Sequence, residues 1–226
     1  MTKSVNTIRY RKYALIVVKI KTERKGNQMK AIEILKQLNV TTDGTNKDIE
    51  DALEELEHMW KVINRKVDES ELRQMVENHN PAIEFVDVSE IKDMSYLFKN
   101  SDFGGSWTAD ISGWDTSNVA NMGYMFQDCK NLEEVSLPHT GKVTYMSFMF
   151  DGCKNLTEVS LPHTENVKNM YVMFRGCTAL HQDFSNWNVE TVLDIFMFDG
   201  CTKMEESYKK GNNLYPKGYK QCQNAY

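Results

Sequence analysis

The sequence predicts an α/β protein, a solenoid of about five stacked coils behind a small helical N-terminal cap. Three observations predict it. A 24-residue unit, Cys129 to Gly152, is followed at once by a second, Cys153 to Gly176, identical at sixteen positions. Phenylalanines recur at Phe98, Phe126, Phe150, Phe174 and Phe198, separated by 28, 24, 24 and 24 residues. Each unit also holds a short alternating apolar stretch and a run of apolar residues at three-residue steps, which predict one strand and one short helical turn per coil.

The apolar columns form the candidate core. Ile91, Met94 and Leu97 precede the first Phe; Val119, Met122 and Met125, then Val143, Met146 and Met149, then Val167, Met170 and Met173 precede the next three, and Val192, Ile195 and Met197 approximate the pattern in the last. A ladder of methionines invites a copper reading, but soft core filling accounts for it more simply. Three residues after each Phe stands Cys129, Cys153, Cys177 or Cys201, with Ser101 in the first unit. Zinc needs four thiolates about one point, whereas stacked coils spread these along a line at the strand spacing of ~4.8 Å, so buried core thiols are expected. That step also lies within the reach of a disulfide in an oxidising setting. Cys222 lies outside the column and is the thiol expected to be accessible. The first gap carries an insertion around Phe103-Gly-Gly-Ser-Trp107.

Two styles of strand alternate. The middle units read L-x-x-V-x-L-P (Leu132 to Pro138, Leu156 to Pro162), a strand closed by proline. The flanking ones read D-φ-S-x-W, at Asp110 to Trp114 and Asp183 to Trp187, with tryptophan filling the corner. Together with V-x-x-M-x-x-M-F-x-x-C, these motifs resemble the BspA-like leucine-rich repeats of bacterial surface proteins over about residues 83–204. The resemblance implies a leucine-rich-repeat-type solenoid with a parallel sheet on one face and short helical turns on the other. It also implies adhesion or host contact at an extracellular surface.

Ahead of the repeats, residues 1–28 form a basic arm and 29–80 a helical N-terminal region. Helical periodicity appears from Met29 to Leu38, over 46–66 (Ile49, Leu53, Leu56, Trp60, Ile63), and from about Glu69 to Asn78, where Leu72, Met75 and Val76 share a face and Pro81 helps to close the helix. These helices are expected to cover the open apolar end of the coils. Residues 81–206 make the solenoid and 207–226, with four tyrosines and four lysines, a C-terminal cap.

Net charge is −5, but the segments differ: about +7 over 1–28, −5 over 29–80, −11 over 81–206 and +4 over 207–226. An acidic repeat region repels bare nucleic acid and favours a basic protein partner. The apolar run Tyr13 to Val18 is too short for a secretion signal and runs into Lys19 and Lys21, so no signal and no membrane span are expected. Five cysteines without an export signal point to a cytoplasmic, reducing setting. Met29 is an alternative start.

One pattern bears on function. An acid, an apolar residue and a serine recur in every unit: Asp87-Val88-Ser89, Asp110-Ile111-Ser112, Glu134-Val135-Ser136, Glu158-Val159-Ser160 and Asp183-Phe184-Ser185. In a strand the inward apolar residue sends both neighbours to solvent, so the sheet should display a stripe of carboxylates beside a stripe of hydroxyls. Like charges about 5 Å apart repel by about 1 kcal/mol in water, so stability alone does not favour the stripe. It reads either as a solvated consensus, or as a docking strip for lysine and arginine or a weak divalent-cation site. His139 and His163 stack after the prolines but lack a third metal ligand, and are read as exposed turn residues. No phosphate-cradling loop, nucleophile elbow or metalloprotease helix motif occurs, and no serine of the stripe has a base placed by spacing. The expected function is a non-enzymatic protein-interaction module without cofactor. An alternative is an intracellular, phage-encoded inhibitor of a nucleic-acid-handling enzyme, its acids imitating a phosphate row.

Overall fold

The computed structural model describes residues 65–219. The basic arm, the helix from Met29, Cys222 and nearly all of the helix expected over 46–66 lie outside them; the last two positions of that helix, Arg65 and Lys66, are not helical. The chain divides into two compact units, 1–65 with Phe85–Asp87, and 66–84 with 88–226. The elements below belong to the second, which is a small α/β arrangement of two α-helices and a two-stranded parallel sheet.

Helix α1 spans Glu69–Glu77 and buries Leu72, Met75 and Val76, the face the periodicity predicts. Asp68 caps it by accepting the Glu71 N–H at 2.9 Å, and Glu69 and Glu71 sit at the positive end of the dipole. Its stop is local. His79 takes a left-handed φ of 49°, and the His79 and Asn80 N–H groups turn back to Val76 O and Met75 O.

The repeats bond to one another in register. Phe98, Phe126, Phe150, Phe174 and Phe198 are buried and face one another at 5.1, 5.5, 5.4 and 5.3 Å. The N–H groups of the first four donate to Met125, Met149, Met173 and Met197 O of the following unit at 2.8–2.9 Å. Parallel bridges link Asp93, Asn121, Tyr145, Asn169 and Leu193 in sequence. The methionines and cysteines of the columns are buried, but in the last unit, which only approximates the pattern, Val192 is half-buried and Ile195 is exposed.

The segments expected to be helical turns are built differently. Tyr96, Tyr124, Phe148, Val172 and Phe196 have φ of 57–62°, and a second left-handed position follows four residues later at Asn100, Asp128, Gly152, Gly176 and Gly200. A right-handed helix cannot cross such residues. The backbone instead alternates: Leu97, Lys99 and Ser101 donate three residues back within the unit, while Tyr96, Phe98 and Asn100 donate to Gly123, Met125 and Gln127 of the next. Stacking requires this, because a helix would consume the N–H groups that tie the units together.

Among the described residues strands form in only two units, β1 over Glu134–Ser136 and β2 over Glu158–Ser160, paired with Glu134 opposite Glu158 and Ser136 opposite Ser160. The expected strands at Asp87–Ser89, Asp110–Ser112 and Asp183–Ser185 are absent. At Asp110 and Asp183 the aspartate side chain instead closes a turn onto the serine N–H two residues on. Ahead of Asp110, the insertion packs the Gly104 backbone against Asn131 and Leu132 of the next unit, and Gly104 N–H donates to Trp107 O at 2.9 Å. At the C-terminal end, α2 spans Thr202–Lys209 and so crosses position 206, burying Met204 and Ser207; Tyr215 and Tyr219 set their rings 5.3 Å from Phe198.

Candidate functional site

The acid-apolar-serine triplets do not share one geometry. On β1 and β2 the valines are buried, Glu134, Glu158 and Ser160 are exposed, and Ser136 is half-buried, so the alternation behaves as a strand should. Asp110 and Ser112 reach the same surface without a strand. Asp110 Oδ1 accepts the Ser112 N–H at 3.1 Å and its hydroxyl at 2.6 Å, a turn closed by the acid's own side chain, while Glu84 Oε1 receives the Asp110 N–H at 3.0 Å.

Between these two arrangements lies a groove of about 280 Å³, lined by Asp110, Ser112, Glu134, Ser136, Glu158 and Ser160 over an apolar base of Phe103, Ile111 and Val135. Six of the ten residues singled out from sequence therefore meet in one place. Its volume lies just below the range of ordinary ligand pockets, roughly 300–1,000 Å³.

The other four lie elsewhere. Asp183 accepts the Ser185 N–H at 2.8 Å, which holds its carboxyl below the ordinary 3.8, and neither residue lines the groove. Asp87 falls with residues 1–65 in the first compact unit. Ser89 gives its carbonyl to Asn118 Nδ2 at 2.8 Å. The continuous five-fold stripes are thus replaced by one groove, because Asx turns fold both flanking triplets at Asp110 and Asp183.

Sequence reasoning missed three contributors. Phe103 comes from the insertion, Glu84 holds the Asp110 turn, and Gln182, one position before the last triplet, bonds the edge of β2. Only the insertion left a signal, the 28-residue gap among 24-residue ones.

The remaining candidates have structural occupations. Cys129, Cys153, Cys177 and Cys201 are free and buried, and each Sγ donates to the carbonyl of Phe98, Phe126, Phe150 or Phe174 at 2.9–3.1 Å. Burial pushes Cys129 up to about 11 and Cys201 up to about 12, so these thiols are protonated and unreactive. His139 and His163 are exposed, and their carbonyls accept from the buried Thr116 and Thr140 hydroxyls at 2.8 Å. Among the described residues no three His, Cys, Asp or Glu side chains are grouped to hold a metal, and no helix is long and apolar enough to cross a membrane.

These features define a repeat protein with one acidic, serine-lined groove. A family model described as a Mycoplasma protein of unknown function, DUF285, matches residues 67–159 and, overlapping them, 131–217. The chain belongs to this family. No curated protein and no solved structure matches it.

Proposed function

We propose that the protein is a non-enzymatic interaction module, a leucine-rich-repeat-type solenoid related to the BspA-like surface repeats, that binds a basic protein partner at this groove. The observation that carries the reading is the convergence of Asp110, Glu134 and Glu158 with three serine hydroxyls over an apolar base. Glu134 and Glu158 stand opposite one another in the parallel register, an arrangement that costs folding energy and that a cationic partner relieves. Mimicry of a phosphate row is less well supported, since Asp110 and Asp183 turn their carboxylates onto neighbouring serine N–H groups and interrupt the row.

The test is affinity capture from the native host with the wild-type chain and the Glu134→Lys, Glu158→Lys double variant, read by quantitative mass spectrometry. A partner held by the wild type and lost from a double variant with an unchanged thermal transition supports the reading. Equal capture by both removes the groove from consideration.

A further inference from the structure

The hydrogen-bond pattern of the small sheet says how a partner would be held. In a parallel ladder the backbone groups of successive residues point alternately to the two sides of the strand. On β1 the side facing β2 is used by Glu133 O, which receives Thr157 N–H at 2.8 Å, by Leu137 N–H, which reaches Ser160 O at 3.0 Å, and by Val135 between them. The N–H and C=O of Glu134 and of Ser136 therefore point away from β2, into the groove. Among the described residues none of these four groups has a backbone partner. The strand that would have paired with them is the displaced Asp110–Ser112 segment, which forms the opposite wall instead.

The far side of the sheet is closed. Val159 N–H and C=O, the outward groups of β2, are both bonded by the Gln182 side chain at 2.8 Å. Among the described residues, one edge is thus capped and the other is left open beside three carboxylates.

We propose that an extended basic segment of a partner protein adds to the β1 edge as a further strand, in the interval left by the insertion. This rests on the functional reading above and names its mode of recognition: main-chain bonds to Glu134 and Ser136 give affinity, and side chains give specificity. Residues of the added strand opposite Glu134 and Ser136 share their solvent face, where lysine or arginine meets Glu134 and Glu158. Those opposite Val135 face the apolar base and must be small or β-branched. A second copy of this chain is a poor occupant, because its own β1 and β2 would bring a second Glu134 and Glu158 to an edge that is already acidic.

The probe is a fluorescent peptide of alternating lysine and threonine, in three forms: unmodified, N-methylated on the lysines, and N-methylated on the threonines. Methylation removes a main-chain donor and keeps the charge. Fluorescence anisotropy at low ionic strength should show binding of the unmodified peptide, loss of roughly tenfold for one methylated form, and near-full affinity for the other, since only alternate N–H groups face β1. Ser136→Pro, which removes a groove-facing N–H without altering charge, should weaken the unmodified peptide to a similar degree. Equal affinity of all three peptides overturns strand addition. If that insensitive binding is still lost in the Glu134→Lys, Glu158→Lys variant, the acidic groove stands as a binding site and only the strand mode fails. No binding of the unmodified peptide also overturns the proposal.

Discussion

Gln182 occupies the place of a β-strand with a single side chain: its Nε2 donates to Val159 O and its Oε1 accepts the Val159 N–H, both at 2.8 Å. An exposed strand edge is a template for unwanted pairing, and short edges covered by side chains are one way proteins suppress it. The asymmetry of the sheet follows from this contact. The unit after β2 supplies an amide in place of backbone, while the unit before β1 supplies a wall set back from it.

Gln182→Ala should destabilise the protein by about 1–2 kcal/mol, the net worth of two part-buried hydrogen bonds. Urea unfolding with an unchanged m-value is the measurement. Gln182→Glu should be worse than alanine at neutral pH, because a carboxylate would face the Val159 carbonyl, and should recover in acid as protonation restores the donor. Equal stability of both variants across pH would show that the amide does not hold the edge.

Much of the fold was legible because it rests on periodicity. The Phe, Met and Cys columns, the buried face of α1 and the strands at Glu134 and Glu158 follow directly from residue spacing. The turn segments are not legible in the same way, because Val119, Met122 and Met125 recur at a spacing that helices and stacked turns share; the left-handed φ at Tyr124 separates the two, and a tyrosine gives no sign of it. Asp110 and Asp183 resemble Glu134 in the sequence pattern, yet aspartate is one methylene shorter and closes a turn onto the backbone two residues on, which Glu134 and Glu158 do not do. The groove was half legible. Its charges are visible as triplets, but the open edge depends on the turn that Asp110 closes onto Ser112, which the acid-apolar-serine pattern does not announce.

Glu134→Lys alone should raise stability, by about 0.2–1 kcal/mol, since it replaces a like-charge pair across the ladder with an opposite-charge one. The double variant with Glu158→Lys should return close to wild type, because two lysines repel as two glutamates do. The gain of the single variant should shrink in high salt. A chemical-denaturation series in low and high salt checks all three expectations, and additive gains in the double variant would show that the two carboxylates do not interact.

Gly176 has φ +71°, and a Cβ there would meet nothing closer than Gly152 Cα at 3.9 Å, so Gly176→Ala should cost about 1–2 kcal/mol from backbone strain alone. Gly104 differs, since at φ +91° its Cβ would stand 2.6 Å from Leu132 Cα and 2.7 Å from Asn131 O. Backbone cannot yield as a side-chain tip can. Gly104→Ala should cost about 3 kcal/mol and shift the wall of the groove. Comparable melting temperatures for the two variants would contradict the close packing of the insertion on residues 131–132.

The cysteine ladder sets an alkaline limit to stability. Burial raises Cys129 from 9.0 to about 11 and Cys201 from 9.0 to about 12, and Cys153 and Cys177 move in the same direction for the same cause. A raised folded pKa means that the native state holds the proton more tightly than the unfolded chain. The contribution is therefore fully present below 9.0 and is lost as pH rises through about 11 for Cys129 and about 12 for Cys201. Stability should be flat through neutral pH as far as these thiols are concerned and should fall steadily above 9.0. In a Cys222→Ser protein, iodoacetamide at mildly alkaline pH should leave the four column thiols unmodified while circular dichroism reports the native state, and should label them together on unfolding. Labelling of Cys129 in a protein whose spectrum is unchanged would show that its S–H bond to Phe98 O opens without unfolding.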